Sequence, residues 1–130
     1  MIHHVQVACP AGAEDEQRAF YGGVLGWTEL PKPPLLASRG GCWFAVPGGG
    51  EVHVGVEEDF RPARKAHPAF VVDVEKVAKA VEAAGLPVVW ADPAEIPGRL
   101  RFHTFDGVGN RVEFLAGQQP VEGGLGVIQN

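Results

Sequence analysis

Cysteine is scarce: the 130-residue chain has two, Cys9 and Cys42. They fall in separate apolar stretches and form no C-x-x-C pair, which removes a disulfide scaffold and a thiolate metal knuckle. Both read as buried thiols of a protein in a reducing cytoplasm. No apolar run approaches the roughly 18–20 residues of a membrane span, so no membrane partner is expected. The start, Met1-Ile2-His3-His4-Val5, has no basic leader and enters a strand pattern at once, unlike a secretory signal. Basic charge is in deficit: a net charge of −5 argues against nucleic-acid binding, which needs a cationic face to release counterions. There is no P-loop and no G-x-S-x-G, and no helix pattern follows Gly48-Gly49-Gly50. Neither cysteine has a base or cation beside it, so neither reads as a nucleophile.

Turn residues are abundant instead. Eighteen glycines and eleven prolines punctuate short apolar runs, as in a domain built from many short strands. The length fits one domain with a core of its own.

The runs fall into two copies of one order. In the first, residues 2–9 alternate as a strand, with His4, Gln6 and Ala8 on one face and Val5, Val7 and Cys9 on the other. His3 falls on the face opposite His4. Residues 14–25 read as a helix, with an acidic start at Glu14, Asp15 and Glu16 and an apolar stripe of Ala19, Phe20 and Val24. Strands are expected near 27–30, 36–46 and 51–57. In the second copy a strand spans 67–73. Asp73 caps a helix from 74 to 84 with Val77, Ala80, Val81 and Ala84 inward, and Gly85 stops it. Strands follow near 87–90, 99–105 and 110–116, with Gly107 and Gly109 supplying positive φ in the last turn. Each copy is βαβββ. The expected fold is α+β: two βαβββ modules (about 2–57 and 67–116) forming a cupped mixed sheet with helices on the outer face. A linker, 58–66, joins them and a tail, 117–130, follows.

Polar residues interrupt the apolar strands at matching places. His4 lies in the first strand of one copy and His67 opens that of the other, and His53 and Glu113 lie in the last, in Val52-His53-Val54 and Val112-Glu113-Phe114. A carboxylate between such neighbours is costly unless a cation or donor meets it. Arg111, two residues away, is one such donor. Glu51 shares a face with His53 and is its competitor. Imidazole and carboxylate without thiolate suit Zn, Fe, Ni, Co or Mn as a divalent metal. His103, on a face with Arg99 and Arg101, could move a proton near neutral pH and is the candidate catalytic residue. Gln6 could hydrogen-bond a ligand, and Tyr21 suits packing. Arg61, Arg64 and Lys65 are either a solvated run or a clamp for an anionic substrate. Alternation does not decide whether Trp43, Phe44 and Trp90 line a cavity or a core.

Ala19-Phe20-Tyr21-Gly22-Gly23-Val24-Leu25-Gly26-Trp27, His67-Pro68-Ala69-Phe70-Val71-Val72-Asp73 and Gly109-Asn110-Arg111-Val112-Glu113-Phe114-Leu115 resemble, in that order, the recurring segments of the glyoxalase / bleomycin-resistance / extradiol-dioxygenase superfamily, the vicinal oxygen chelate proteins. The resemblance runs from about residue 2 to 116. It implies two βαβββ modules, commonly in a homodimer, with metal ligands on the first and last strands of each. Carried onto this chain, these are His4, His53, His67 and Glu113. His4, His67 and Glu113 alone would leave positions open for a bidentate oxygen substrate. Glyoxalase I and methylmalonyl-CoA epimerase generally have a carboxylate or amide where this chain has His53.

The resemblance thus implies a metal-dependent enzyme that chelates a small-molecule substrate through vicinal oxygens. Isomerisation or lyase chemistry, transfer to a small oxyanion and ring-opening dioxygenation all stay open. The alternative is a metal-free protein that sequesters a drug or other small ligand, as bleomycin-resistance members do. A further alternative is a stable dimer whose metal only holds the fold together.

Overall fold

The computed structural model describes residues 1–118; the rest of the tail, 119–130, lies outside the described residues. The chain divides into two compact units. The first is Met1–Pro68 with Phe105–Val112, and the second is Ala69–Thr104 with residues 113–118. Each carries a four-stranded mixed sheet in an α+β arrangement.

In the first unit the strands are β1 (His4–Cys9), β2 (Thr28–Leu30), β3 (Cys42–Ala45) and β4 (Glu51–Val56), in the order β1-β4-β3-β2. β1 runs parallel to β4, and the other pairs are antiparallel. The register sets Gln6 opposite His53 and His53 opposite Trp43. Alternation then sorts the sheet by face. Val7, Cys9, Cys42, Phe44, Val52 and Val54 are buried on one; His4, Gln6, Trp43, Glu51, His53 and Gly55 share the other.

The helix that follows β1 begins as α1 (Glu14–Gln17) and widens over Arg18–Val24 into turns closed by five-residue hydrogen bonds, such as Leu25 N to the Phe20 carbonyl at 3.0 Å. The widening rotates the buried face away from the expected stripe. Ala19 is exposed, while Gln17, Phe20 and Tyr21 are buried. The Tyr21 ring packs on Phe44 and Trp27 at 5.7 and 6.0 Å.

Residues 36–46 are not one strand. Pro33 and Pro34 start a single helical turn, α2 (Pro34–Ala37), because proline suits a first turn and cannot donate to a ladder. Gly40 and Gly41, both at positive φ, then return the chain to β3. A Cβ on Gly41 would lie 2.1 Å from the Val54 carbonyl oxygen, so the strap is held against β4 at a distance only glycine permits.

In the second unit β5 (Ala69–Val71), β6 (Val89–Trp90), β7 (Arg101–Phe105) and β8 (Arg111–Leu115) are ordered β5-β8-β7-β6. β5 and β8 are parallel, as β1 and β4 are. Ala69 pairs with Glu113 as Gln6 pairs with His53, so the two modules repeat one register. Helix α3 (Val74–Ala83) is capped by Asp73, whose carboxylate accepts from Lys76 N at 3.4 Å, and Gly85 at φ 81° ends it. Val74, Ala78 and Val81 are its buried residues, and Ala84 is exposed rather than inward because the helix has already ended. Phe70, Phe102 and Phe114 fill the core, with ring centroids 5.4 and 6.0 Å apart about Phe114. Each buried ring contributes about 2–3 kcal/mol by removal from water. Among the described residues no helix is long and apolar enough to cross a membrane.

Candidate functional site

The open face of the first sheet carries a stack of three rings. Trp43 lies on His53 with centroids 3.9 Å apart and planes 4° apart, and His53 lies on His4 at 3.9 Å and 12°. The stack follows from the register, which puts β3, β4 and β1 side chains in one row across strands about 4.8 Å apart. His53 is 7 % exposed; His4 is exposed.

Glu51, two residues before His53 on the same face, meets its Nε2 at 2.8 Å. Both rivals for this position therefore face the open side. A carboxylate only accepts, so Nε2 carries the proton and Nδ1 is the basic nitrogen. The same hydrogen bond holds the Glu51 carboxyl below its usual value. His3 does not face away from His4, because it precedes β1 and strand alternation does not reach it. Its Nδ1 is 2.9 Å from His4 Nδ1, and both residues line one cavity of about 550 Å³ with Gln6, Trp43 and His53. Gln6 folds its amide over Gly55, where a Cβ would lie 2.3 Å from Nε2.

His67 is elsewhere in the first unit. It falls two residues before β5 rather than within it, since Pro68 cannot join the ladder. Its Nδ1 donates to the Lys65 carbonyl at 2.7 Å. It lines a second cavity, about 340 Å³, with Arg61, Glu57 and Asn110.

In the second unit Glu113 is 8 % exposed and meets Arg101 Nη1 at 3.2 Å; Arg101 Nη2 also holds Glu95 at 2.6 Å. Arg101 of the neighbouring strand is thus a donor that answers Glu113. His103 shares the Arg101 face of β7, half-buried, opposite Val89.

A buried network that the sequence reading did not find lies on the helix side of the first unit. Asp106, 3 % exposed, accepts from Gln17 Nε2, Tyr21 Oη and Asn110 Nδ2 at 2.9–3.0 Å, and from the backbone of Val108 and Asn110. Burial, then the Asp106 charge, pushes the Tyr21 hydroxyl well above its usual value. Asn110 ties the turn to β1 through the Ala8 carbonyl at 2.8 Å. Gly107 is not at positive φ; it is glycine because a Cβ would lie 2.1 Å from the Glu16 carbonyl oxygen. The polar Gln17 in a helix and the Asp106-Gly107-x-Gly109-Asn110 turn were the available signals.

The donor types suit a divalent transition metal, and the hydrogen bond to Glu51 leaves a basic nitrogen on His53. The rings of His4 and His53 stack in parallel, and among the described residues no group of three or more His, Cys, Asp or Glu side chains is arranged to hold a metal ion.

A glyoxalase family protein from Bacillus anthracis has a solved structure that is 45 % identical over 91 % of this chain and 95 % of that one, with a TM-score of 0.83. Lactoylglutathione lyase from Agrobacterium tumefaciens (21 % identical, 90 % and 93 % covered, TM-score 0.67) and the fosfomycin resistance protein FosX from Listeria monocytogenes (14 %, 88 % and 91 %, TM-score 0.65) share the fold. No protein-family model and no curated protein matches the chain.

Proposed function

We propose, from the premise that this chain belongs to the glyoxalase family, that it is an enzyme whose small-molecule substrate lies against the imidazole-lined face of the first unit. One observation carries this reading: His4, His53 and Trp43 form a continuous ring stack that lines the 550 Å³ cavity, with Glu51 orienting His53. A fixed polar cluster beside a cavity of this size is how small-molecule sites are commonly built.

The reading includes metal dependence, with His4, His53, His67 and Glu113 as donors and a substrate that chelates through vicinal oxygens. The family resemblance and the basic nitrogen of His53 support it; ligation by His4 and His53 together requires the two rings to unstack. Isomerase, lyase, transferase and dioxygenase chemistry all remain within it, and His103 is the proposed proton carrier. A homodimer in a reducing cytoplasm is part of the same proposal, in keeping with the free buried thiols of Cys9 and Cys42.

A second reading, metal-free sequestration of a small ligand, is favoured by the Arg101–Glu113 ion pair, which already neutralises the carboxylate. Metal analysis of protein purified without chelator separates the two. The enzyme reading expects about one transition metal per chain, lost in His53→Ala and Glu113→Ala. Metal-free, folded protein that cannot be loaded with Zn, Fe, Ni, Co or Mn overturns metal dependence.

A further inference from the structure

The cavity beside the ring stack carries charge of one sign. Its lining includes Lys32 and Arg39 and the imidazoles of His3, His4 and His53, and no aspartate or glutamate. The chain as a whole is at −5. Two carboxylates lie nearby and both are engaged: Glu51 by His53, and Glu14 by the Gly41 N–H at 2.8 Å. The second cavity, by contrast, sets Glu57 against Arg61.

Lys32 is held in place by the local fold. Lys32 Nζ donates to the Gly40 carbonyl, which ties the two ends of the strap between β2 and β3 together. An ammonium has three donors, so this bond leaves two more. Arg39 stands one residue before Gly40, and Gly41 locks the strap against β4. Leu36 and Trp43 give the same cavity an apolar and aromatic wall. A positive rim over an apolar and aromatic wall suits a ligand with an anionic head and a small carbon body.

Resting on the reading that the substrate occupies this face, we propose that the first-unit cavity recognises a small organic oxyanion, a carboxylate, phosphonate or phosphate, through Lys32 and Arg39. The clamp is separate from the basic run of Arg61, Arg64 and Lys65.

The test is a titration followed by amide and indole NMR shifts, at constant low ionic strength, on protein as purified and after dialysis against EDTA. The probes are malonate and inorganic phosphate, with tetramethylammonium as the cationic counterpart. Both anions are expected to give saturable shifts at the Trp43 indole and the Gly40 and Gly41 amides. Arg39→Gln and Lys32→Gln are each expected to weaken binding about tenfold, the size of one charge-assisted contact, while Arg64→Gln leaves it unchanged. Absence of saturation, equal shifts with tetramethylammonium, or equal weakening by Arg64→Gln overturns the proposal. If that happens while His53-dependent turnover of some substrate persists, the oxyanion assignment alone has failed; if anions bind and no turnover depends on His53, the enzyme reading has failed instead.

Discussion

Tyr21 donates its phenolic hydrogen to Asp106 at 3.0 Å, across 85 residues of sequence and inside the core of the first unit. The bond joins the widened helix to the turn between β7 and β8. It also makes that turn a load point: Asp106 is a buried acceptor with five donors, and a missing donor is not replaced by water.

Removing the acceptor leaves Gln17, Tyr21 and Asn110 with buried, unmet hydrogens. Asp106→Ala is expected to cost about 3 kcal/mol, and Tyr21→Phe about 1 kcal/mol, by urea unfolding. Equal stability of Asp106→Ala and the parent protein would contradict the network.

Two glycines should respond oppositely to alanine. At Gly107 the new methyl meets the Glu16 backbone carbonyl, which cannot move alone, so Gly107→Ala is expected to destabilise by about 2–3 kcal/mol. At Gly55 it meets only the mobile end of Gln6, so Gly55→Ala shifts that amide and costs about 0.5 kcal/mol or less. Thermal melts of both variants check the contrast.

Alkaline stability follows from Cys42. Burial raises its thiol from the ordinary 9.0 to about 11. Below pH 9.0 the thiol is protonated both folded and unfolded, and the native state keeps its full stability. Between 9.0 and about 11 the unfolded chain loses the proton and the folded chain does not, so stability falls as pH rises. Cys42→Ala should flatten the pH dependence of the urea midpoint in that window; an unchanged slope would remove the buried thiol as its cause.

Arg101 and Glu113 should be coupled. Arg101→Met removes a guanidinium from a nearly buried carboxylate and is expected to cost about 2 kcal/mol, whereas Arg101→Met with Glu113→Gln costs about half as much. Denaturant unfolding of the four members of the cycle measures this. If Glu113 is also a metal donor, added Zn²⁺ restores stability to Arg101→Met and not to the double variant.

The doubled βαβββ order was legible because strand alternation and glycine stops are local signals. So were the face shared by His4 and Gln6 and the face shared by Glu51 and His53, since a two-residue period carries each within its own strand. What was not legible depends on neighbours in space. Nothing in Val112-Glu113-Phe114 says that the answering cation sits on the next strand at Arg101. The widened turns after Gln17 exposed Ala19 and buried Tyr21, which a 3.6-residue period does not foresee. The prolines at 33 and 34 were visible, yet the helical turn they begin was read as strand; that turn lies in the strap bearing Lys32 and Arg39. The ring stack needed the register of three strands, which the sequence does not state.

The most direct measurement of the central claim is turnover. Metal-loaded protein is screened against hemithioacetals, catechols and phosphonates, and any substrate found is then given to His4→Ala and His53→Ala. If the chemistry happens at the imidazole-lined face, each variant loses at least about 100-fold in kcat/KM, the lower range for removing a proton-transfer or charge-stabilising group. A substrate turned over by both variants at the parent rate would move the active site off that face and contradict the account.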